Sequence, residues 1–190
     1  GYPMKNYQVT QWCRHFMEEA VAEGDLCIDA TMGNGHDTCL LSRLAGSRGH
    51  VYAFDIQPQA VENTRRRLIQ EHCPENYTLL CQSHTNLDTY VSPESVSLIT
   101  FNFGYLPGGD HKLSTSAKSS VLAIQKGLPL LKKGGRMVLC IYSGGDTGFE
   151  ERDAILSFLK TLPSREYLVI KSDYYNRPNH PPIPVLILRL

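Results

Sequence analysis

The chain lacks a surplus of charge of either sign. Across 190 residues, 19 Lys+Arg face 19 Asp+Glu, a formal net charge of zero. A protein that coats nucleic acid through its overall field is therefore not expected, although a local basic patch around a site stays open. Long apolar runs are also missing: none approaches the ~20 residues a bilayer span needs. The start, Gly1-Tyr-Pro-Met-Lys5, has no apolar core of the kind a signal peptide carries. Low hydrophobicity is absent too, since 42 % of residues are apolar, and this excludes intrinsic disorder. Among the six cysteines no CxxC pair occurs, and no Cys/His set has zinc-like spacing, so no metal site is expected. Cys27, Cys81 and Cys140 fall inside apolar runs and read as small buried hydrophobes. Reduced thiols in a cytoplasmic protein are the expectation.

What is present is alternation. Strand-like runs at Leu26–Ala30, Val51–Ile56, Tyr77–Gln82, Val96–Phe103, Arg136–Tyr142, Tyr167–Tyr174 and Pro184–Leu190 are short and apolar. Amphipathic stretches lie between them at Val9–Glu23, His36–Leu44, Pro58–Gln70, Ser116–Leu131 and Phe149–Leu162. Lys132-Lys133-Gly134-Gly135 reads as the C-terminal closure of the fourth helix. This rhythm predicts one α/β domain over 1–190, a doubly wound, Rossmann-like sheet of seven mostly parallel strands. Only the loop Asn176–Pro182 separates the last two strands, too short for a crossover helix. They are expected to form an antiparallel hairpin at the sheet edge.

The first strand empties into Asp29-Ala-Thr31-Met32-Gly33-Asn34-Gly35-His-Asp37-Thr38, a strand, a tight glycine turn and a helix start. Gly33 and Gly35 permit dihedrals and ligand approach that a Cβ would block, and the helix N-terminus offers free N–H groups. Twenty residues after Gly35, Asp55 ends the second strand, followed by Ile56 and Gln57. A carboxylate there can accept both ribose hydroxyls. Loop and spaced acid point to an adenosine-containing cofactor. A dinucleotide fingerprint wants a small third residue where Thr38 stands, and a pyrophosphate is repelled by Asp29 and Asp37. S-adenosylmethionine carries a sulfonium and an ammonium instead, so the carboxylates favour it. The plainer reading is that Asp29 and Asp37 cap the turn and helix. Ser83 and His84, after the third strand, are candidates for the adenine ring.

The fourth strand opens into Asn102-Phe103-Gly104-Tyr105-Leu-Pro107-Gly108-Gly-Asp110-His111-Lys112, where open α/β sheets bind ligands. Asn102 and Tyr105 have the spacing of the Asn/Asp-Pro-Pro-Tyr motif of amino-group methyltransferases, which this stretch resembles. In that motif the Asn side chain accepts hydrogen bonds from the target nitrogen and the aromatic residue packs on the substrate. Phe103-Gly104 replace its two prolines, which leaves the acceptor open. Two further rims, Cys140-Ile-Tyr142-Ser-Gly-Gly145 and Tyr174-Tyr-Asn-Arg177-Pro-Asn179-His180-Pro-Pro182, belong to the same sheet end. Aromatics there can stack on a base, and Lys112, His111 and Arg177 can meet phosphate. Arg65-Arg66-Arg67 reads as a solvated helix face.

On the strength of Asp29–Thr38, Asn102–Asp110 and Asn179–Pro182, the chain resembles class I S-adenosylmethionine-dependent methyltransferases. More narrowly it is similar to the small bacterial YtqB/MnmM family, long labelled rRNA methylases, over nearly its whole length. Tyr142-Ser-Gly-Gly145 departs from the Tyr-Pro-Gly-His common in that family, so no role resting on that His carries over. The resemblance implies N-methylation of the 5-aminomethyl group of a wobble uridine or 2-thiouridine in the tRNA anticodon region. Asn102 would orient the nitrogen and Asp110 would receive its proton, with Tyr105 or Tyr142 as alternative bases. Pro107, Gly108, His111, Lys112, Arg177, Asn179 and His180 would touch the RNA, and a homodimer could share that task. The other readings are an rRNA or small-molecule amine acceptor on the same fold, a non-catalytic cofactor- and RNA-binding module, and a dehydrogenase.

Overall fold

The structure, a computed structural model, describes residues 6–104, 116–144 and 148–190. Seven strands form one sheet: β1 (Leu26–Asp29), β2 (His50–Asp55), β3 (Tyr77–Cys81), β4 (Val96–Phe103), β5 (Leu131–Ile141), β6 (Tyr167–Lys171) and β7 (Ile183–Arg189). Their spatial order is β3-β2-β1-β4-β5-β7-β6. The first five strands run parallel, and β7 lies antiparallel between β5 and β6. The hairpin expected from the short last loop is present, with β6 as the free edge. Among the described residues five α-helices accompany the sheet: α1 (Val9–Ala20), α2 (His36–Ala45), α3 (Pro58–Gln70), α4 (Ala117–Gly127) and α5 (Gly148–Leu159).

Alternation along the strands feeds two cores, one on each sheet face. Ile99, Phe101 and Phe103 of β4 join Leu139 and Ile141 of β5 and pack with Ile124 of α4 and Ile155 of α5. On the opposite face Leu98, Val138 and Cys140 meet Cys13 and Met17 of α1 and Leu41 of α2. Within β4 every residue is buried except Asn102, which is half-buried. The most central apolar strand thus presents one polar side chain, at its C-terminal end.

Three details differ from the sequence reading. The fourth helix stops at Gly127 and continues as a short 3₁₀ turn, Leu128–Leu130. Pro129 has no N–H to give an α-helical partner, so the ladder breaks there. Lys132 to Gly135 consequently belong to the start of β5, where Gly134 takes φ +80° and the register with β4 shifts. Cys81 is exposed and not buried, because it closes β3, the edge strand. All six thiols are free, as expected. Among the described residues no helix is long and apolar enough to cross a membrane.

Ile124, fully buried between α4 and the sheet, tests this core. Ile124→Ala should lower unfolding free energy by about 2–5 kcal/mol in urea titration, with the denaturant slope unchanged.

Candidate active site

Strand order reverses between β1 and β4, and in such sheets the ligand crevice opens at the carboxyl ends of the diverging strands. The divergence is visible in the backbone. Ala30 N–H still bonds the Thr100 carbonyl of β4 at 2.9 Å, whereas Met32 N–H turns to the Phe54 carbonyl of β2 at 2.8 Å. Thr31, between them, keeps the ends in register through its side chain, accepting the Asn102 N–H on Oγ1 at 2.7 Å.

The glycine loop is clamped from below. Gly33 and Gly35 adopt φ +52° and +88°. A Cβ on Gly35 would lie 2.9 Å from the Cα of Thr64 in α3. Thr64 Oγ1 donates to the Gly33 carbonyl at 3.0 Å, and Arg67 Nε donates to the Asn34 carbonyl at 2.7 Å. Arg65 and Arg66 are solvated as read from sequence, but Arg67 is a loop anchor. Asp55, at the end of β2, accepts from the N–H groups of Gly33 (3.1 Å) and Gln57 (2.9 Å). Its two oxygens retain lone pairs for a diol, because a carboxylate offers about four acceptor positions. Ile56 and Gln57 beside it are half-buried.

The other acids have different tasks from those expected. Asp29 is 0 % exposed, so no cofactor atom can reach it. It accepts from Thr38 Oγ1 at 2.7 Å and from Thr31 N–H at 3.2 Å, a brace across the loop. Thr38 is likewise fully buried, and Met32 nearly so, which leaves Met32 only backbone roles. Burial, reinforced by the charge of Asp37, pushes the Asp29 carboxyl up to about 7. Asp37 is gripped by Arg14 of α1, whose Nε donates to Oδ1 at 3.1 Å, and by Asn102, whose Nδ2 donates to Oδ2 at 3.0 Å.

That last bond orients the Asn102 amide. An ionised carboxylate accepts only, so it takes the NH₂ side and leaves Asn102 Oδ1 to accept from something else. Among the described residues no donor takes it. Gly104, at φ +118°, sits against Tyr142: a Cβ there would come within 2.6 Å of the Tyr142 Cβ. Tyr142 N–H bonds the Phe103 carbonyl at 2.8 Å, closing β4 and β5 together at this end. Burial and the neighbouring Cys140 raise the Tyr142 hydroxyl above its ordinary range, so it stays protonated and is a poor proton acceptor.

Ser83 caps the 3₁₀ turn His84–Thr89, its Oγ accepting from Thr85 N–H at 3.2 Å. His84 is 3 % exposed, with its ring edge-on to Phe101 and Phe103. Burial lowers its imidazole to about 4, so it is neutral, and among the described residues its Nε2 has no hydrogen-bond partner. Arg177, Asn179 and His180 gather at a cleft beyond Tyr142, together with Ser143 and Arg152, neither of which sequence reading singled out. Tyr105, Pro107, Gly108, Asp110, His111 and Lys112 lie outside the described residues. Arg14, Thr64 and Arg67 were also missed. Each is a polar residue on a helix with no motif of its own, and only the tertiary contact reveals its role.

These features fit an adenosine cofactor with a cationic end. The positive-φ glycines leave a cradle a side chain would fill, His84 keeps a buried orphan nitrogen, and three carboxylates surround one loop. The fold and site define an S-adenosylmethionine-dependent methyltransferase, and comparison with known proteins agrees. The family described as "Putative rRNA methylase" matches residues 51–188, and the chain belongs to it. A chloroplastic tRNA (mnm(5)s(2)U34)-methyltransferase of Arabidopsis thaliana is 32 % identical over 202 residues, covering 100 % of this chain and 72 % of that protein. The crystal structure of an rRNA methylase homologue from Clostridium thermocellum superposes with TM-score 0.93 at 38 % identity, covering 98 % and 100 % of the two chains. A Streptococcus mutans methyltransferase homologue solved in complex with SAH gives 0.86 at 34 %, again covering 98 % and 100 %.

Two outcomes test this site. Between pH 3.8, the ordinary carboxyl value, and about 7, the folded chain holds a proton on Asp29 that the unfolded chain releases. The contribution of Asp29 to stability is therefore fully present below that window, falls as pH rises through it and is flat above. The thermal midpoint of the cofactor-free wild type, relative to Asp29→Asn, should drop between pH ~5 and ~7.5; a constant difference would contradict the buried-acid assignment. Gly104→Ala meets both a positive φ and the Tyr142 contact, and should lose about 1–3 kcal/mol of stability in denaturant titration.

Proposed function

We propose that this methyltransferase acts on a primary amine, the 5-aminomethyl group of a wobble uridine or 2-thiouridine in the anticodon region of tRNA. The observation that carries the reading is the locked Asn102 amide. A carbonyl-type acceptor with fixed direction, at the end of β4, suits an N–H donor whose lone pair must be aimed elsewhere. A relative with this activity printed in its name, 32 % identical over the full chain, supports the acceptor class.

Asp55, with Ile56 and Gln57, would hold the ribose side of the cofactor, and Gly33 to Gly35 would line its approach. His84 Nε2 would face the adenine as a neutral partner. Asp29 and Asp37 would act on the cationic end through their field and not by contact. S-adenosylmethionine supplies a methyl group on a sulfonium, which leaves with the S–C electron pair returning to sulfur. Asn102 Oδ1 would accept from the substrate N–H and align the nitrogen for in-line attack. Asp110 is the proposed proton acceptor for the ammonium, since Tyr142 is kept protonated. Tyr105 would pack on the base. Pro107, Gly108, His111 and Lys112 complete the proposed substrate rim, and a homodimer would double it. Six free thiols suit a reducing, cytoplasmic compartment.

Mass spectrometry of wobble nucleosides, after incubating under-modified tRNA with protein and cofactor, should show one added methyl on 5-aminomethyluridine. Unchanged nucleoside would overturn this acceptor while leaving the methyltransferase class in place. In single-turnover assays Asn102→Ala should slow transfer about 100-fold or more, the scale seen when one oriented hydrogen-bonding group is removed. Asp37→Ala should slow it about tenfold even at saturating cofactor, because the amide is then free to turn. Asp110→Asn retaining the full rate would remove Asp110 as the base.

A further inference from the structure

Beyond Tyr142 lies a cleft of about 300 Å³, and none of the chemistry proposed above requires it. Ser143, Arg152, Asp173, Tyr174, Arg177 and His180 are among its walls. Ser143 is 6 % exposed, and among the described residues its Oγ has no hydrogen-bond partner. A buried hydroxyl left unpaired is costly, and it marks a place where an acceptor is missing. The Arg152 guanidinium lies over the Phe149 ring, 4.5 Å from its centroid, and His180 meets the same ring edge-on at 5.1 Å. One aromatic side chain thus holds a guanidinium and an imidazole at the cleft wall. Arg152 also pairs with exposed Asp153 at 2.9 Å, a surface contact that leaves part of its five-donor fork free. Among the described residues Arg177 finds no side-chain hydrogen bond or ion pair.

The backbone here is strained. Asn179 and His180 both take positive φ, 64° and 52°. Successive non-glycine residues in that region are held only where surrounding structure imposes them, and such strain concentrates at ligand sites. Pro181 and Pro182 follow directly and stiffen the turn. Two guanidinia, one imidazole and a buried hydroxyl face a single carboxylate, Asp173, among the cleft walls. That donor set suits a phosphate. Its location says which phosphate: Ser143 is the residue after Tyr142, whose Cβ packs on Gly104 two residues from Asn102.

We propose that this cleft binds a backbone phosphate of the RNA next to the methylated nucleoside, through Arg177, Arg152 and the Ser143 hydroxyl. The proposal rests on the reading of the substrate as RNA. Tyr174, on the same wall, offers a ring for a flanking base.

The test uses the full chain and an RNA stem-loop carrying 5-aminomethyluridine, with affinity measured by fluorescence anisotropy across a salt series. Arg177→Ala should weaken binding about tenfold and reduce the slope of log K against log salt by about 1. Ser143→Ala should weaken binding several-fold with little change of slope, since no charge is lost. Arg177→Lys should restore the slope but not the full affinity, because an ammonium lacks the fork. Arg48→Ala, the same charge removed from a distant exposed position, should change neither. Thermal midpoints confirm that each variant is folded. A second arm follows arginine Nε resonances by NMR during titration with uridine, uridine 5′-monophosphate and inorganic phosphate. Arg177 and Arg152 should respond to the monophosphate and not to uridine. If the wild type fails to bind the stem-loop, the substrate reading has failed, and the monophosphate arm alone decides whether this is a phosphate site. Inorganic phosphate binding with RNA affinity and slope untouched would make it a free-phosphate site and overturn the RNA assignment. Arg177→Ala behaving like Arg48→Ala, with no monophosphate response, would overturn the site itself.

Discussion

One hydrogen bond governs the architecture of the site: the Asn102 N–H to the Thr31 hydroxyl, 2.7 Å long, at the point where β1 and β4 part. Backbone pairing ends at Ala30, and Met32 has already crossed to β2. Without a side chain to span the gap, the end of β4 would lose its partner where position matters most. Thr31 replaces a missing ladder bond, so the crevice opens without loosening the strand that carries Asn102. The side chain of Asn102 is then held separately, through Asp37 of α2, by Arg14 of α1. Strand and amide are fixed by different elements: the strand by Thr31 just after β1, the amide by Asp37 in the first turn of α2.

The same loop concentrates negative charge. Asp29, Asp37 and Asp55 surround it, and Asp29 is out of water altogether. Burial raises the proton affinity of Asp29, and the nearby charge of Asp37 adds to the effect. The Asp29 carboxyl rising to about 7 is the visible result. Arg14 compensates one of the three. The remaining potential disfavours an anionic pyrophosphate and favours a ligand with a sulfonium and an ammonium. In the proposed function, cofactor choice would come from the field of these carboxylates, Asp37 and Asp55 above all, more than from direct contact with the buried Asp29.

Much of this was legible in the chain. Strand and helix periodicity located every strand of the sheet, and the short final loop implied the hairpin. Gly33, Gly35 and Asp55 were identifiable because turn geometry and strand-end position constrain residue type locally. What sequence could not expose were the long-range partners. Arg14 and Asp37 are 23 positions apart, and Asn102 joins them from 65 positions beyond Asp37. Asp29 and Asp37 looked alike as acids beside a glycine turn, yet one is a buried brace and the other a relay. Their difference is set by packing against Thr38 and α1, which no local pattern records. The Lys132–Gly135 run misled for the opposite reason: its composition suits a helix end, but Pro129 had already ended the helix.

The neutrality of the chain takes on meaning beside this geometry. With 19 charges of each sign, no general field draws a polyanion toward the protein. If the substrate is RNA, as proposed, binding energy would have to come from few, well-placed contacts, each donor fixed before the ligand arrives, because mobile side chains lose entropy on ordering. Arg152 held on Phe149 and a turn stiffened by Pro181 and Pro182 meet that demand at one rim. Under the proposed reading, a methyltransferase built this way would recognise its RNA by the fit of one nucleoside and its neighbouring phosphate. On that reading the acids around the glycine loop would repel RNA backbone there, so attraction would be confined to the rim that carries Arg152 and Arg177.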